Sequence, residues 1–469
     1  MHLIHTFAVT VAIVVLLAVA GFTPVIAQTQ PEAAEPPRIT PVGSRTHQPE
    51  NTTAYPGMTL PEAVETALIK NAHLRAATAQ VRRSEAGVQE ARSSLLPDLV
   101  ATGEYTRSEE PTLVNPMHGT PTPQDPLTFD DEIYTGILRL NIPVLNLPAL
   151  AGVRASRHLV DVRYAERAKN EQRIIGAVTE VFVQSGQIRD NLNLLDSHIR
   201  ALERRLVELR TLSEAGRVSP SSVSEVEATT QSLRAERIEL EYRHDELAFR
   251  LASLLGQDHA VVPVVPAFRE APPIGASTDG SGAAGPAWQA AEAHYLAAEA
   301  SRSAARASFA PSVNGFAAQS SRSGSDIDFT NEWSLGLTVT VPLVTGGERL
   351  ARLNAAEADV EAARHNRASA RTAEITESRL LVQRWERAAE REELLAAAAV
   401  NQERAVRAVE DRFNEGRASL SDLLTEETTL LELRMHIQST RYDRLLAYVA
   451  HAEIAGALSP ALITSLIEE

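Results

Sequence analysis

The chain contains no cysteine. Disulfides, thiolate metal sites, a cysteine nucleophile and a lipid-modified N-terminal cysteine are all excluded, so any membrane attachment has to come from the fold. Aromatic residues make up only 4% of the sequence, which is sparse for an ordinary globular core and better suited to helices packed closely through Ala and Leu. No dense Lys/Arg stripe interrupts a formal charge of -16, which argues against nucleic acid as a partner. His73, His158, His244 and His365 are scattered without metal-ligand spacing, and neither a phosphate-cradling glycine loop nor a catalytic triad is recognisable. The expectation is therefore a protein that is not an enzyme and has no catalytic, cofactor or metal residues. Beyond residue 27 no stretch approaches the ~20 apolar residues of a spanning helix, so a membrane crossing would have to be made with strands.

What is present begins with an apolar run from Phe7 to Ala20, followed by Pro24 and the small-residue pattern Val25-Ile26-Ala27. Residues 1–27 read as a signal peptide for export, although His2 and His5 stand where Lys or Arg is usual; the alternative is an uncleaved anchor. Residues 28–56 are rich in Pro, Glu and Thr without periodicity and read as a disordered or extended segment. A second such stretch, 257–285, reads as a linker between two halves, 57–256 and 286–456, with 457–469 as a C-terminal tail.

The halves repeat one order of motifs. Ala91 to Pro97 answers Ala305 to Pro311, Tyr134 to Pro143 answers Trp333 to Pro342, and Gly216-Arg217-Val218-Ser219 answers Gly416-Arg417-Ala418-Ser419. The offset is 214 residues at the first match, 199 at the second and 200 at the third, which indicates internal duplication rather than a solenoid. Thr59-Leu60-Pro61-Glu62 is a capping box opening a helix towards Ser94, with a break near Asn71. Leu99 to Tyr105 predicts a strand, Arg107 to Asp131 a loop with five prolines, and Tyr134 to Ile142 a second strand. In the second half Trp333, Leu335, Leu337, Val339 and Val341 alternate with Ser334, Gly336, Thr338 and Thr340.

Long helices follow each strand pair. Ile174, Val178, Val181, Ile188, Leu192, Leu195, Ile199, Leu202, Leu206 and Leu209 keep spacings of three and four, with Ser185 the one polar member. Val226, Leu233, Leu240, Leu247 and Leu254 are each seven apart, so both stretches carry a heptad seam and must pack on other helices. If continuous, Leu150 to Leu212 would extend ~95 Å at the α-helical rise. The repeated Gly-Arg-x-Ser reads as the turn of each hairpin: Gly216 and Gly416 close a helix in the left-handed conformation, and Ser219 and Ser419 cap the returning one. Pro220 suits the first helical position and Asp422 completes a capping box.

Four strand candidates cannot make a sheet-on-sheet core, and four strands cannot close by themselves in lipid, so several copies would have to contribute to one barrel. Alternation then puts Leu138, Leu140, Ile142, Trp333, Leu335, Leu337, Val339 and Val341 towards lipid, and Arg139, Asn141, Thr338 and Thr340 towards water, with Tyr134 and Trp333 in an interfacial girdle. Arg107 to Asp125 and Ser320 to Asp326 are expected to be loops tolerant of deletion, with Gly119 a site for surface labelling.

Met58-Thr59-Leu60-Pro61-Glu62-Ala63-Val64, the helix-to-strand turns Leu95 to Leu99 and Phe309 to Val313, the strand exit Val341 to Gly347 and the hairpin Arg412 to Ser419 together resemble the TolC-like outer membrane efflux proteins. The resemblance spans about residues 57–456. It implies a mainly α fold with a transmembrane β-barrel: long antiparallel coiled-coil helices forming a periplasmic tunnel, and four strands per protomer in a trimeric 12-stranded barrel. It also implies a homotrimer in the bacterial outer membrane, docked to a periplasmic adaptor protein and served by an inner-membrane pump. The turns Gly216-Arg217-Val218-Ser219 and Gly416-Arg417-Ala418-Ser419 are then the expected docking tips, the alternative being that Arg217 and Arg417 only complement the helix dipole. The expected function is a passive exit duct for drugs, metals or other small solutes; a type I protein secretion duct and a periplasmic coiled-coil scaffold are the alternatives. The positions matching the family's pore constriction carry Ser222, Phe413, Ala418 and Thr425, with Asp422, Glu426 and Glu427 nearby. Ser222, Phe413, Asp422, Thr425 and Glu426 are the pore-end candidates.

Overall fold

The computed structural model describes residues 57–114, 128–274, 285–325 and 329–468. The expected signal peptide, the extension 28–56 and Gly119 lie outside them. In chain order the elements are β1 (Gly57–Thr59), α1 (Leu60–Lys70), α2 (Ala72–Ser93), β2 (Asp98–Leu113), β3 (Phe129–Leu145), α3 (Leu147–Glu214), α4 (Pro220–Leu255) and β4 (Val262–Val264). They continue with α5 (Pro286–Ala307), β5 (Ser312–Gly324), β6 (Thr330–Thr340), α6 (Glu348–Asn414), α7 (Leu420–Ile454) and α8 (Pro460–Ser465). Two compact units result, and each draws on both sequence halves: 89–153 with 303–353, and 57–88 with 154–302 and 354–468 among the described residues.

The first unit holds one antiparallel sheet in the order β2-β3-β5-β6. Several expected boundaries move. Arg107, expected in a loop, pairs with Glu132, and Thr112 pairs with Asp130 after a shift in register, so β2 runs to Leu113. Pro111 is tolerated because β2 is an edge strand whose ladder is already irregular there. Ser320 to Gly324, also expected in a loop, are the end of β5, so deletions there would remove ladder hydrogen bonds instead of trimming a loop. Pro143 lies inside β3, which continues to Leu145 through a shift in register just after the residue that lacks an N–H. Val341, expected in a strand, falls one residue beyond β6.

In the second unit the heptad seams are buried as expected. Val178, Val181, Ser185, Leu195 and Leu202 on α3 and Val226, Leu233, Leu240 and Leu247 on α4 are all buried, while Ile188, Leu192, Leu206 and Leu254 are partly so. The duplication is visible in lengths: α3 and α6 have 68 and 67 residues, α4 and α7 have 36 and 35, and α2 and α5 have 22 each. It is visible in an ion pair too, since Arg234 meets Glu203 at 2.6 Å and Arg434 meets Glu403 at 2.6 Å. The expected break at Asn71 is real: its side-chain Oδ1 accepts from the N–H groups of His73 and Leu74, starting α2, while Nδ2 donates to the Leu254 carbonyl at 2.8 Å.

The expected linker and tail have structure where they are described. β1 pairs in parallel with β4, the Arg269 N–H donates to the Leu466 carbonyl, and the Glu468 N–H donates to that of Ala267, both at 2.9 Å. Ile463 and Leu466 are buried in the same cluster as Leu60, Phe182 and Leu251. The sequence offers only short apolar runs here, and tertiary burial organises them.

One polar contact is costly. Glu453 on α7 lies against Gly176 on α3, where a Cβ would collide with its carboxylate. Burial pushes the Glu453 carboxyl up; Arg173 opposes this, and Glu377 and Glu180 add to it. A raised carboxyl favours the folded state when protonated, so this contribution is present below pH ~4.5 and lost as pH rises through the folded-state value. Glu453→Gln is expected to raise thermal stability at pH 7 to 8, with the gain over wild type shrinking as the pH falls towards 4.5; melting curves across that range check it.

Candidate functional site

The two hairpin turns are built alike. Gly216 and Gly416 both have φ of +73°, a conformation that costs a residue with a Cβ about 1 to 2 kcal/mol. Their N–H groups donate to Ser213 and Phe413 carbonyls, and the following Arg217 and Arg417 N–H groups reach back to Leu212 and Arg412 at 2.8 and 2.7 Å. These bonds satisfy the last carbonyls of α3 and α6. Ser219 then caps α4, accepting from the Ser221 N–H at 3.2 Å. Ser419 caps α7 more fully: its hydroxyl accepts from the Asp422 N–H at 3.1 Å, and its own N–H donates to the Asp422 carboxylate at 3.0 Å.

The third position of each turn faces inward and the Arg outward. Val218 packs on a cluster containing Leu209, Val226 and Leu420, and Ala418 is half-buried. Arg217 and Arg417 are exposed, and Arg417 is paired with Glu415, where the first turn has Ala215. The two tips thus share a backbone but differ in charge.

The pore-end candidates fall into separate local arrangements. Asp422 is engaged in its cap, and the Ser419 hydroxyl and N–H hold its carboxyl below the usual range. Phe413 packs partly buried against the cluster with Leu420 and Leu424. The exposed Thr425 hydroxyl donates to the Ser421 carbonyl at 2.8 Å, and Glu426 accepts from Gln402 Nε2 at 2.5 Å. Ser222 is half-buried, and among the described residues its hydroxyl bonds nothing on α6 or α7. Sequence reasoning missed Arg205, whose guanidinium holds Glu427 through two bonds of 2.9 and 2.8 Å and lies 4.0 Å from Glu410. Its position beside the Leu202–Leu206–Leu209 seam, where coiled coils place interhelical charges, is the signal that could have found it.

Around Leu138 to Ile142 and Trp333 to Val339 the sheet separates polar from apolar, while the Arg107–Glu132 pair lies further along the apolar face and Val100 and Ile137 on the polar one. Directly paired residues lie on one face, and the register aligns Leu99, Leu140, Ala317 and Leu335, then Ala101, Leu138, Gln319 and Trp333, then Ile142, Gly315 and Leu337. Every strand member of the expected lipid-facing set, Val339 included, therefore shares one face; Trp333 is 76% exposed, Leu335 73% and Leu337 71%. The other face carries Asp98, Glu104, Thr135, Arg139, Asn141, Arg322, Ser334 and Thr338 with Phe316 among them. Arg139 Nε donates to Asn141, Asn141 Nδ2 donates to Asp98, each at 3.0 Å, and the Arg139 guanidinium stacks 5.0 Å from the Phe316 ring.

The family model described as "Outer membrane efflux protein" matches residues 63–257 and 283–457. The chain belongs to this family. The match breaks in the stretch read as a linker, so each block covers one copy of the duplication. Among solved structures the chain is similar to CusC, with TM-score 0.75, 15% identity, and coverage of 86% of this chain and 93% of that one. It is similar also to the outer membrane protein VceC of Vibrio cholerae, with TM-score 0.72, 19% identity and coverage of 85% and 96%. For the outer-membrane channel OprN the values are 0.73, 21%, 85% and 90%. No curated relative matches the sequence. As a member of the outer membrane efflux proteins, the chain carries the family's mainly helical fold with a small antiparallel sheet.

The paired +73° glycines make the turn geometry testable. Gly416→Val is expected to lower the melting temperature of the purified protein, and Gly416→Asn, which tolerates the left-handed conformation, to lower it less; equal losses would show that the φ angle is not what the glycine supplies.

Proposed function

We propose that this outer membrane efflux protein is a passive exit duct: three copies join their sheets into a 12-stranded barrel in the outer membrane, and their helical hairpins extend it into the periplasm. The observation that carries this reading is the sheet itself. It is open, among the described residues its edges at β2 and β6 are unpaired, and around Leu99, Leu138 to Ile142 and Trp333 to Val339 it is apolar on one face and hydrogen-bonded and charged on the other. Lipid tolerates no unpaired strand edge, and a closed ring of such sheets satisfies every edge while setting Trp333, Leu335, Leu337 and Val339 outward and Arg139, Asn141 and Thr338 inward. Tyr134 and Trp333 suit the interfacial girdle.

The hairpin tips Gly216-Arg217-Val218-Ser219 and Gly416-Arg417-Ala418-Ser419 are proposed to dock a periplasmic adaptor, which links the duct to an inner-membrane pump. The support is exposure: both arginines project from turns whose remaining side chains face the hydrophobic cluster or cap a helix. Cargo is small and diffuses through the duct, with energy supplied by the pump. Ser222, Phe413, Asp422, Thr425 and Glu426 line the inner end in this reading.

Two substitutions on adjacent residues test the barrel. Leu337→Arg is expected to cost ~2 to 4 kcal/mol near the bilayer midplane and Thr338→Arg much less; equal loss of outer-membrane trimer from the two would contradict the facing. Docking is tested by Arg217→Glu combined with Arg417→Glu, which should leave trimers inserted while adaptor crosslinking and export are lost. Normal export by the stable double variant would remove the arginines from the docking surface. Because Glu415 already neutralises Arg417, Arg217→Glu alone is expected to weaken crosslinking more than Arg417→Glu alone.

A further inference from the structure

Arg139 is held more firmly than an exposed arginine on a strand needs to be. Its Nε donates to Asn141 at 3.0 Å, and Asn141 Nδ2 is in turn anchored on the Asp98 carboxylate. Its guanidinium lies 5.0 Å from the centre of the Phe316 ring. That ring is itself fixed, because it lies across its strand partner Gly336, where a Cβ would come within 2.8 Å of it. A guanidinium stacked on one face and tethered at one nitrogen has given up much of its side-chain freedom before any ligand arrives. Among the described residues the two terminal nitrogens of Arg139 make no hydrogen bond, so the donors that grip a carboxylate in bidentate fashion are unused.

The residues beside it are apolar where most of this face is polar. Val100 is the partner of Arg139 on β2, Ala318 is its partner on β5, and Ile137 stands two residues back along β3 on the same face. Val100 is 46% exposed and Ile137 36%, so neither is there to fill a core. Arg139 leans away from Ile137, towards Asn141 and Phe316. A fixed cation beside a small exposed apolar floor is complementary to a molecule that has both parts, an anionic oxygen pair and an apolar body. Charge sets how many anionic groups that molecule carries. The Asp98 carboxylate lies behind Asn141 and repels a second negative group, so the ligand has one. The site is shallow and open, as a station in a duct has to be, because a solute that enters must also leave.

We propose that Arg139, with Val100, Ile137 and Ala318, forms a subsite in the duct wall for small organic monoanions, a carboxylate or sulfonate carried on an apolar body. The proposal rests on the duct reading, which turns this face to the lumen, and it names a class of solute that the wall engages. Its test uses full-length trimers in planar bilayers and measures block of conductance by naphthoate, by acetate and by naphthylmethanol, each variant scaled to its own unblocked conductance. In the wild type naphthoate is expected to block at a concentration about tenfold lower than acetate, which has the charge alone, or naphthylmethanol, which has the apolar body alone. Arg139→Gln should raise the naphthoate concentration needed by about tenfold, the worth of one charge-assisted hydrogen bond, and leave that of naphthylmethanol where it was. Val100→Glu, which sets a carboxylate beside an intact Arg139, should weaken naphthoate block as strongly, and Phe316→Leu should weaken it less. Unchanged naphthoate block in either Arg139→Gln or Val100→Glu would overturn the subsite, as would wild-type block by naphthoate no stronger than by acetate. Wild-type trimers that never conduct would instead remove the duct reading. Equilibrium dialysis of naphthoate against the same purified protein would then decide: retention about tenfold weaker in Arg139→Gln than in wild type upholds the subsite, and equal retention overturns it.

Discussion

An open sheet placed in lipid has to close. β2 and β6 each present a row of backbone N–H and C=O groups with no strand partner among the described residues. In water such edges are a liability; in hydrocarbon each unpaired group costs several kcal/mol. Much of the remaining design follows from meeting that demand with copies of one short sheet. Each copy needs strands that are long and staggered, one apolar face for lipid, and a region outside the membrane where copies are held in step. β3 supplies the first, with 17 residues in unbroken pairing on both sides through most of its length.

The helical unit is built on a different periodicity. Strands alternate every two residues, whereas α3 and α4 bury a residue every three or four, and duplication provides the same device twice. The two hairpins match in length, in turn glycines, in capping serines and in the Arg234–Glu203 and Arg434–Glu403 pairs. They differ where charge is concerned: Asp422 replaces Ser222 in the cap, Arg417 has Glu415 while Arg217 faces Ala215, and Glu427 is turned to Arg205 while Glu227 pairs with Arg210. Duplication thus preserved the features that backbone geometry demands and let the charges diverge, which is the freedom by which one hairpin can face partners that the other does not.

Much of this was legible before any coordinates. The heptad seam, the break at Asn71, the capping boxes and the Gly-Arg-x-Ser turns each follow from a local rule, and a local rule can be read from local residues. The faces of the sheet were legible as well, because alternation in 333–339 is nearly strict. The strand ends were not. Pro111 and Pro143 signal termination, yet their strands continue, because an edge position or a local irregularity absorbs the missing N–H. The packing of 257–274 and 457–468 escaped for the opposite reason, since short apolar runs acquire structure there only from the core they cover. At the site, turn residues were identified individually, but the bond between Arg205 and Glu427 joins positions 222 apart and has no counterpart in local pattern.

The central claim is that closure of the sheet is achieved between copies. Native mass spectrometry of the protein extracted from outer-membrane fractions in mild detergent measures this most directly. The account predicts a species of three chains that dissociates to single chains on heating; a monomer recovered from the soluble periplasmic fraction would contradict it.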